Sequence, residues 1–249
     1  MKRFLPPVSI LLSWLLFVQP LFAAVAFDAS SSGQVAGGPS LTVSHVTAGD
    51  FLACALASGN ALDLVTGGTI TYNGVPMTKS ATLDSGSNWL WIYTLVAPAT
   101  GTHNLVVTPT SNAFIEAICH SFSGVNPSAP VGTVIQDCVA GSGASCNVFQ
   151  NSPMSQSISM AGGSFAFDAI ALVDGGAISA LTPGGGQSEP AANLTDGAGV
   201  QRLGASYQSG ASAMSWTWTA SFPANVGQAI IEIKAAGAAG AVRRRGISQ

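Results

Sequence analysis

Two similar apolar runs of strand length lie 114 residues apart in this chain. Residues 49–57, Gly-Asp-Phe-Leu-Ala-Cys-Ala-Leu-Ala, return as residues 163–171, Gly-Ser-Phe-Ala-Phe-Asp-Ala-Ile-Ala. Tyr93 recurs at the same spacing as Tyr207, and the segment around Glu116 returns two residues late around Glu232. Repetition in the same order and at nearly constant spacing is typical of a duplicated structural unit. The sequence therefore predicts an internal pseudo-repeat, with units at about residues 41–124 and 156–236.

Strand signals recur throughout the chain, and no segment shows convincing helical periodicity after the N-terminal region. The tight turn predicted at Asn73-Gly74 is typical of a hairpin. We expect an all-β fold over residues 27–236, either one jelly-roll-like or Ig-like β-sandwich whose halves share a core, or two tandem Ig-like sandwiches. The predicted strands are 41–46, 51–57, 69–72, 89–96, 104–108, 114–122, 156–160, 165–173, 199–207, 213–219 and 228–234. The intervening segment 126–153, rich in Pro, Gly and Ser, is interpreted as a linker or as one long crossing.

The two ends of the chain have their own signatures. Residues 1–26 combine Lys2 and Arg3 with an apolar stretch and a small-residue cleavage pattern, which predicts a signal peptide. No later segment is long and apolar enough to span a membrane. Residues 237–249, with Arg243, Arg244 and Arg245, are predicted to form a disordered basic tail. We therefore expect a protein that is secreted or held at the cell surface.

Charge is scarce: Asp, Glu, Lys and Arg make up 8% of the chain. Between residues 27 and 237 the only basic residues are Lys79, Arg202 and Lys234, whereas all 11 acidic residues of the chain lie there. Because nucleic-acid affinity depends on neutralising phosphates with Lys and Arg, this balance argues against a nucleic-acid partner.

The chain has four cysteines, and exported proteins keep disulfides. Cys138 and Cys146 flank a small-residue loop that a bridge can close, so this pair is favoured. Cys54 and Cys119 lie within apolar strands, where buried thiols and a second bridge are both consistent with the sequence. Three connectivities remain open at this stage.

Aromatic side chains give the main indication of binding. Trp89, Trp91 and Tyr93 alternate along one strand and therefore share a face, as do Trp216 and Trp218. A row of flat rings is suited to stacking on sugars, but the same rings also fill sandwich cores. Alignment of the repeats places Trp216 and Trp218 opposite Leu105 and Val107, which predicts that they are buried. The first row is kept as a candidate ligand platform.

No pattern predicts a catalytic or metal site. The Gly-x-Ser-x-Gly elbow is absent, as are Cys-x-x-Cys and His-Glu-x-x-His. Glu116 and Glu232 are the carboxylates that a glycan hydrolase would use, because the repeat makes them pseudo-equivalent. The turns at Asp174 and Asp196 can donate oxygens to a structural calcium ion. No other cofactor is expected.

Three ordered motifs carry a family resemblance. They are Thr-Tyr-Asn-Gly-Val-Pro-Met at residues 71–77, the run from Trp91 to His103, and Ser-Phe-Ser-Gly-Val at residues 121–125. Together they resemble a broad group of exported bacterial and phage-associated β-sandwich domains that are often found in large surface proteins. The resemblance covers about residues 27–236 and implies a fold, with no catalytic residues to carry over.

The predicted function is non-catalytic. We expect an exported β-sandwich that acts in cell-surface or extracellular structure, by adhesion or self-assembly, with copies of itself or glycans as partners. The alternatives are a carbohydrate-binding module and a secreted glycan hydrolase.

Overall fold

The computed structural model describes residues 24–58, 68–84, 89–110, 113–137, 149–173, 177–195, 201–221 and 223–237. These residues form an all-β structure of antiparallel sheets, which confirms the predicted fold class. Within them, no helix is long and apolar enough to cross a membrane. The strands are β1 (Ala26–Gly38), β2 (Leu41–Thr47), β3 (Phe51–Ser58), β4 (Thr69–Tyr72), β5 (Val75–Pro76), β6 (Thr78–Asp84), β7 (Trp89–Val96), β8 (Gly101–Thr108), β9 (Ala113–Ser123), β10 (Val131–Asp137), β11 (Phe149–Gln150), β12 (Met154–Ser157), β13 (Phe165–Val173), β14 (Thr182–Pro183), β15 (Leu194–Thr195), β16 (Arg202–Ser209), β17 (Ala213–Thr217) and β18 (Ala224–Ile233).

The strands form four sheets, two from each half of the chain. The first inner sheet has the order β1-β9-β3-β7-β6, and the first outer sheet has the order β2-β8-β4-β5. The second inner sheet has the order β10-β18-β13-β16-β15, with β11 also paired to β18. The second outer sheet has the order β12-β17-β14. Each half therefore supplies one inner and one outer sheet.

The residues of β3 explain why the sheets stack in layers. Phe51, Ala53, Ala55 and Ala57 point to one face and join a core with residues of the second inner sheet. Leu52, Cys54 and Leu56 point to the opposite face and join a core with the first outer sheet. Because successive strand residues alternate between faces, an uninterrupted apolar run is what a strand covered on both sides requires. The two halves thus share a central core, and the second half has further cores of its own.

Val25 also belongs to the shared core. It is 3% exposed, and its backbone N–H donates to the carbonyl of Gly163 at 3.1 Å. This residue lies inside the predicted signal segment, so cleavage after Ala26 would remove a core side chain.

The two inner sheets have corresponding strand orders, with β1, β9, β3, β7 and β6 matching β10, β18, β13, β16 and β15 in turn. The sheets face each other so that β6 packs on β10 and β18, while β1 lies near β15. The edge strand β6 therefore packs on the counterpart of β1, and β1 lies near the counterpart of β6. The same reciprocal contact is found in an isologous dimer interface. The internal repeat itself stays a prediction.

Strand register changes two of the predicted equivalences. Phe51 pairs with Val96 and Phe122, and its counterpart Phe165 pairs with Ser209 and Ile233. The spacing between counterparts is therefore 114 residues for β3, 113 for β7 and 111 for β9.

With these spacings, the counterpart of Tyr93 is Ser206 rather than Tyr207. Glu116 corresponds to Gly227, and Glu232 corresponds to Ser121. The predicted equivalence of Glu116 and Glu232 is therefore wrong. The connections between strands differ in length in the two halves, so one constant spacing cannot hold along the chain.

Candidate functional site

The predicted aromatic row does not form an exposed platform. Trp91 is fully buried and Tyr93 is 5% exposed, both in the core between the first inner and outer sheets. The side chain of Trp89 lies outside the described residues. The expectation of an exposed ring surface is thus wrong for Trp91 and Tyr93, because the face of β7 that carries them is covered by the first outer sheet. Trp216 and Trp218 are buried, as predicted.

Tyr93 nevertheless reaches a pocket of about 330 Å³ at the side of the molecule. We call this the Tyr93 pocket; Thr69, Ile70, Thr71, Pro76, Met77 and Lys79 also line it. Besides Gly68 and Met77, the lining comes from β4, β5, β6 and β7, so the pocket lies where the first outer sheet meets the edge of the first inner sheet. The structure thus has a small cavity lined by one aromatic side chain where the sequence suggested a row of exposed rings.

A tight turn sets the position of the hairpin above this pocket. Asn73 and Gly74 have φ angles of 49° and 76°, and both values lie in the left-handed region that Asn and Gly tolerate. The predicted Asn-Gly turn is confirmed. After the turn, the N–H of Met77 donates to the carbonyl of Ile70 at 3.0 Å, which closes the hairpin over the pocket.

Lys79 supplies the positive charge of the pocket. Lys79 of β6 lies opposite Tyr93 of β7 in the strand ladder, and the register of this ladder shifts between Lys79 and Ala81. Ser80, at this irregularity, forms a 2.8 Å hydrogen bond between its Oγ and Oγ1 of Thr94. In the part of the chain that the structure describes, no carboxylate pairs with the Lys79 ammonium. Sequence reasoning missed this residue, although it is one of three cations within the acidic body of the protein.

A larger cavity, of about 550 Å³, lies in the second half of the molecule, beside the residue that begins the described chain, Ala24. Ala24, Gly163, Lys234 and Gly237 are among its lining residues, and most of the others are alanine and glycine. Residues before 24 and after 237 fall outside the description, so both ends of the described chain border this cavity. It offers few side-chain groups that could select a ligand.

The two glutamates proposed for hydrolysis have internal hydrogen-bond partners. Glu116 is fully buried and accepts a 2.8 Å bond from Nε2 of Gln201. Glu232 accepts backbone N–H groups from Thr133 and Ala161 at 3.0 and 2.7 Å. Burial acts to raise the pKa of Glu232, but these hydrogen bonds lower it below its ordinary value. Neither carboxylate lines either cavity, so the placement does not supply a pair facing a cleft.

A Ser–His contact occurs in the first half. Ser31 Oγ and His45 Nδ1 lie 2.8 Å apart, and Nε2 of His45 is buried without a hydrogen-bond partner. Burial lowers the pKa of His45 to about 4, against the raising effect of Asp28. The Asp28 carboxylate instead accepts bonds from Thr47, Ser121 and two backbone amides. A weak base without an orienting carboxylate lacks the arrangement of a nucleophilic triad.

The second half contains a buried polar cluster around Asp168. The carboxylate accepts bonds from Trp216 Nε1 at 2.7 Å and from Gln228 Nε2 at 3.0 and 3.1 Å. Burial raises the pKa of Asp168 to about 7, although the bonds from Gln228 and Trp216 act to lower it. Asp168 of β13 therefore connects Trp216 of the second outer sheet to Gln228 of the second inner sheet.

Other predicted site residues divide between described and undescribed parts of the chain. Cys54 and Cys119 form a buried disulfide, which settles the open alternative for this pair. The favoured pair, Cys138 and Cys146, lies outside the described residues, as do Asp174, Asp196 and the arginines at 243–245. Among the described residues, no group of three or more His, Cys, Asp or Glu side chains could hold a metal ion.

Comparison with known proteins adds no further assignment. No protein-family model, curated protein or solved structure matches the chain.

Proposed function

We propose that this protein is exported and acts without catalysis in cell-surface or extracellular structure, through adhesion or self-assembly. The N-terminal pattern supports export, and the Cys54–Cys119 disulfide is of a kind that persists in oxidising compartments. The observation that carries the proposal is the edge strand β1.

β1 has few of the features that prevent association at a sheet edge. It is 13 residues long, terminates the first inner sheet and contains neither lysine nor proline. Its one charged residue, Asp28, accepts internal hydrogen bonds from Thr47 and Ser121. From Ala29 to Val35 the pairing with β9 runs without interruption between two register shifts. Such a regular, uncharged edge favours addition of a strand from a second copy.

Lysine substitutions at the edge test this assembly. Ser32 and Gln34 are exposed on one face of β1, so the double variant Ser32→Lys/Gln34→Lys adds charge without disturbing the core. We expect concentration-dependent oligomers of the mature protein in light scattering and electron microscopy, and their loss in the variant. The matched control is Asn104→Lys, which adds an exposed charge on β8, an interior strand. A wild-type protein that stays monomeric at high concentration contradicts the assembly proposal.

Carbohydrate binding is a second candidate, and the Tyr93 pocket favours it. Ile70, Pro76 and Met77 give the pocket apolar surface, while Thr69 and Thr71 bring hydroxyl groups. A sugar ring has the same combination of an apolar face and a polar rim.

A glycan array with the mature protein tests the second candidate. Thr71→Val keeps the shape of a pocket residue and removes its hydroxyl, so we expect it to weaken binding. Thr182 lies on β14 of the second outer sheet and is exposed and outside the pocket, so Thr182→Val serves as control. Binding that Thr71→Val leaves unchanged removes the Tyr93 pocket as the site.

A further inference from the structure

We infer that the Tyr93 pocket recognises an acidic sugar, with the carboxylate of a uronic acid paired to Lys79. This inference rests on the carbohydrate-binding candidate and names the class of ligand that the pocket selects.

Basic side chains are scarce in the body of this protein. Residues 27–237 contain three basic side chains among 11 acidic ones, so anions are repelled by most of this body. Arg202 is already engaged, since its Nε donates to the carbonyl of Ile178 at 2.8 Å. Lys234 lies two residues from Glu232 and acts on that carboxylate electrostatically. Lys79 is the cation that lines a pocket without a carboxylate partner among the described residues.

The local backbone fixes the start of β6 beside the pocket. The Ser80–Thr94 hydrogen bond ties the irregular part of β6 to β7, immediately after Lys79. On the other side, the hairpin closed by Met77 and Ile70 restrains the approach to β6. Because the backbone is held on both sides, the Lys79 side chain starts from a fixed place beside the pocket.

The remaining lining selects a ring rather than a bare anion. Ile70, Pro76 and Met77 provide apolar contact on the hairpin side, and Thr69 and Thr71 are within the same lining. A volume of about 330 Å³ lies at the small end of ligand pockets, which suits one sugar unit better than a long stretch of polymer. Lys79 adds the group that distinguishes a carboxylated unit from a neutral one, because charge-assisted hydrogen bonds are stronger than neutral ones.

The test compares ligands that share the sugar ring and differ at the carboxyl group. The mature protein, with no other truncation, is titrated calorimetrically with uronic-acid oligosaccharides and with their methyl esters. The esters keep the sugar ring and lose the negative charge. We expect the acidic form to bind at least about tenfold more tightly at low salt, and the difference to shrink as salt is added. Lys79→Met should abolish the difference, Lys79→Arg should retain most of it, and Lys234→Met should leave it unchanged.

The outcomes separate this inference from the candidate function. Equal binding of acid and ester, or no effect of Lys79→Met, overturns the assignment to acidic sugars while glycan binding stands. Competition by inorganic phosphate as strong as that by the free uronic acid shows a bare anion site and overturns the sugar assignment. Absence of binding to either form overturns the carbohydrate candidate itself, and the assembly proposal is tested independently by the β1 variants.

Discussion

At the level of single residues, each half has a tryptophan in the core between its inner and outer sheets. In the first half this tryptophan comes from the inner sheet, and in the second half it comes from the outer sheet. Trp91 lies on the first inner sheet and shares a core with Leu105 of the first outer sheet. The register counterpart of Trp91 in the second half is Gly204, and the alignment of the repeats places Trp216 at the position of Leu105. The Trp216 ring of the second outer sheet lies beside Gly204, where a larger side chain would meet it, so both cores contain a tryptophan that comes from a different sheet in each half. Close packing requires such compensation when one partner changes volume.

Gly204→Ala tests this packing directly. A Cβ at Gly204 would lie 3.0 Å from the Trp216 ring and 2.9 Å from a methyl group of Leu181. We expect a loss of about 1–3 kcal/mol in the free energy of unfolding, measured in urea. A smaller loss in a Trp216→Leu background would show that the ring causes it. Gly162→Ala is the control, because a Cβ there meets nothing within 4 Å, and an equal loss at both sites would contradict the explanation.

Asp168 gives the stability a distinct dependence on pH. Its pKa is about 7 in the folded protein against an ordinary value of 3.8, so the folded state holds the proton more tightly than the unfolded state. The stabilisation from this group is complete below about pH 4 and is lost as the pH rises through 7.

Asp168→Asn should remove that dependence. We expect the variant to gain stability relative to the wild type as the pH rises from 4 to 8, measured as the difference in unfolding free energy across this range. The difference is the informative quantity, since Glu232, whose pKa is lowered, contributes stability that is lost as the pH falls. A difference that stays constant with pH would show that Asp168 does not hold a proton in the folded state.

At the level of elements, the disulfide joins two neighbouring strands of the first inner sheet. Cys54 of β3 pairs directly with Cys119 of β9, and the bond closes a loop of 65 residues. Loop closure of this length restricts the unfolded chain strongly. We expect Cys54→Ala/Cys119→Ala to lower the free energy of unfolding by about 2–5 kcal/mol in urea.

A second cysteine variant serves as the control for this loss. Cys138→Ser/Cys146→Ser leaves the Cys54–Cys119 bond in place. The unfolding free energies of the two double variants, measured side by side, show how much stability each cysteine pair contributes. Peptide mapping of the oxidised protein should recover Cys54 joined to Cys119. A bond from Cys54 to Cys138 or Cys146 would contradict the structure.

Some strands could be predicted from the sequence and others could not, and the difference lies in how strong a strand signal their residues give. β3 and β13 were predicted because continuous apolar runs indicate strands that are covered on both faces. β1 and β10 were missed: β1 is rich in Ala, Ser and Gly, which have little preference for strands, and β10 lies in the segment interpreted as a linker or crossing.

The candidate site was less accessible to sequence reasoning. Tyr93 was found from its place in an alternating row, but its burial depends on an outer sheet that periodicity cannot reveal. Lys79 belongs to no motif. The pocket arises where residues of β4, β5 and β6 meet, and packing between sheets is a tertiary property.

For the whole molecule, the core shared by the two inner sheets predicts that both halves unfold as one cooperative unit. Alanine is the commonest residue of this core, with Ala53, Ala55, Ala169 and Ala205 among its members, and Phe51 and Phe167 belong to the same cluster. Because small side chains allow two sheets to approach closely, neither inner sheet can lose its partner without exposing a wide apolar face. Unfolding of one half should therefore remove the support of the other.

Hydrogen exchange after a substitution far from the shared core tests this coupling. Leu105 is fully buried between the first outer and inner sheets, so Leu105→Ala should cost about 2–5 kcal/mol. If the halves unfold together, amide protection in β13 of the second half should fall by the same free energy as protection in β3. Asn104→Ala, at the exposed neighbouring position, should change neither strand. A loss of protection confined to the first half would show that the shared core joins two independently stable units.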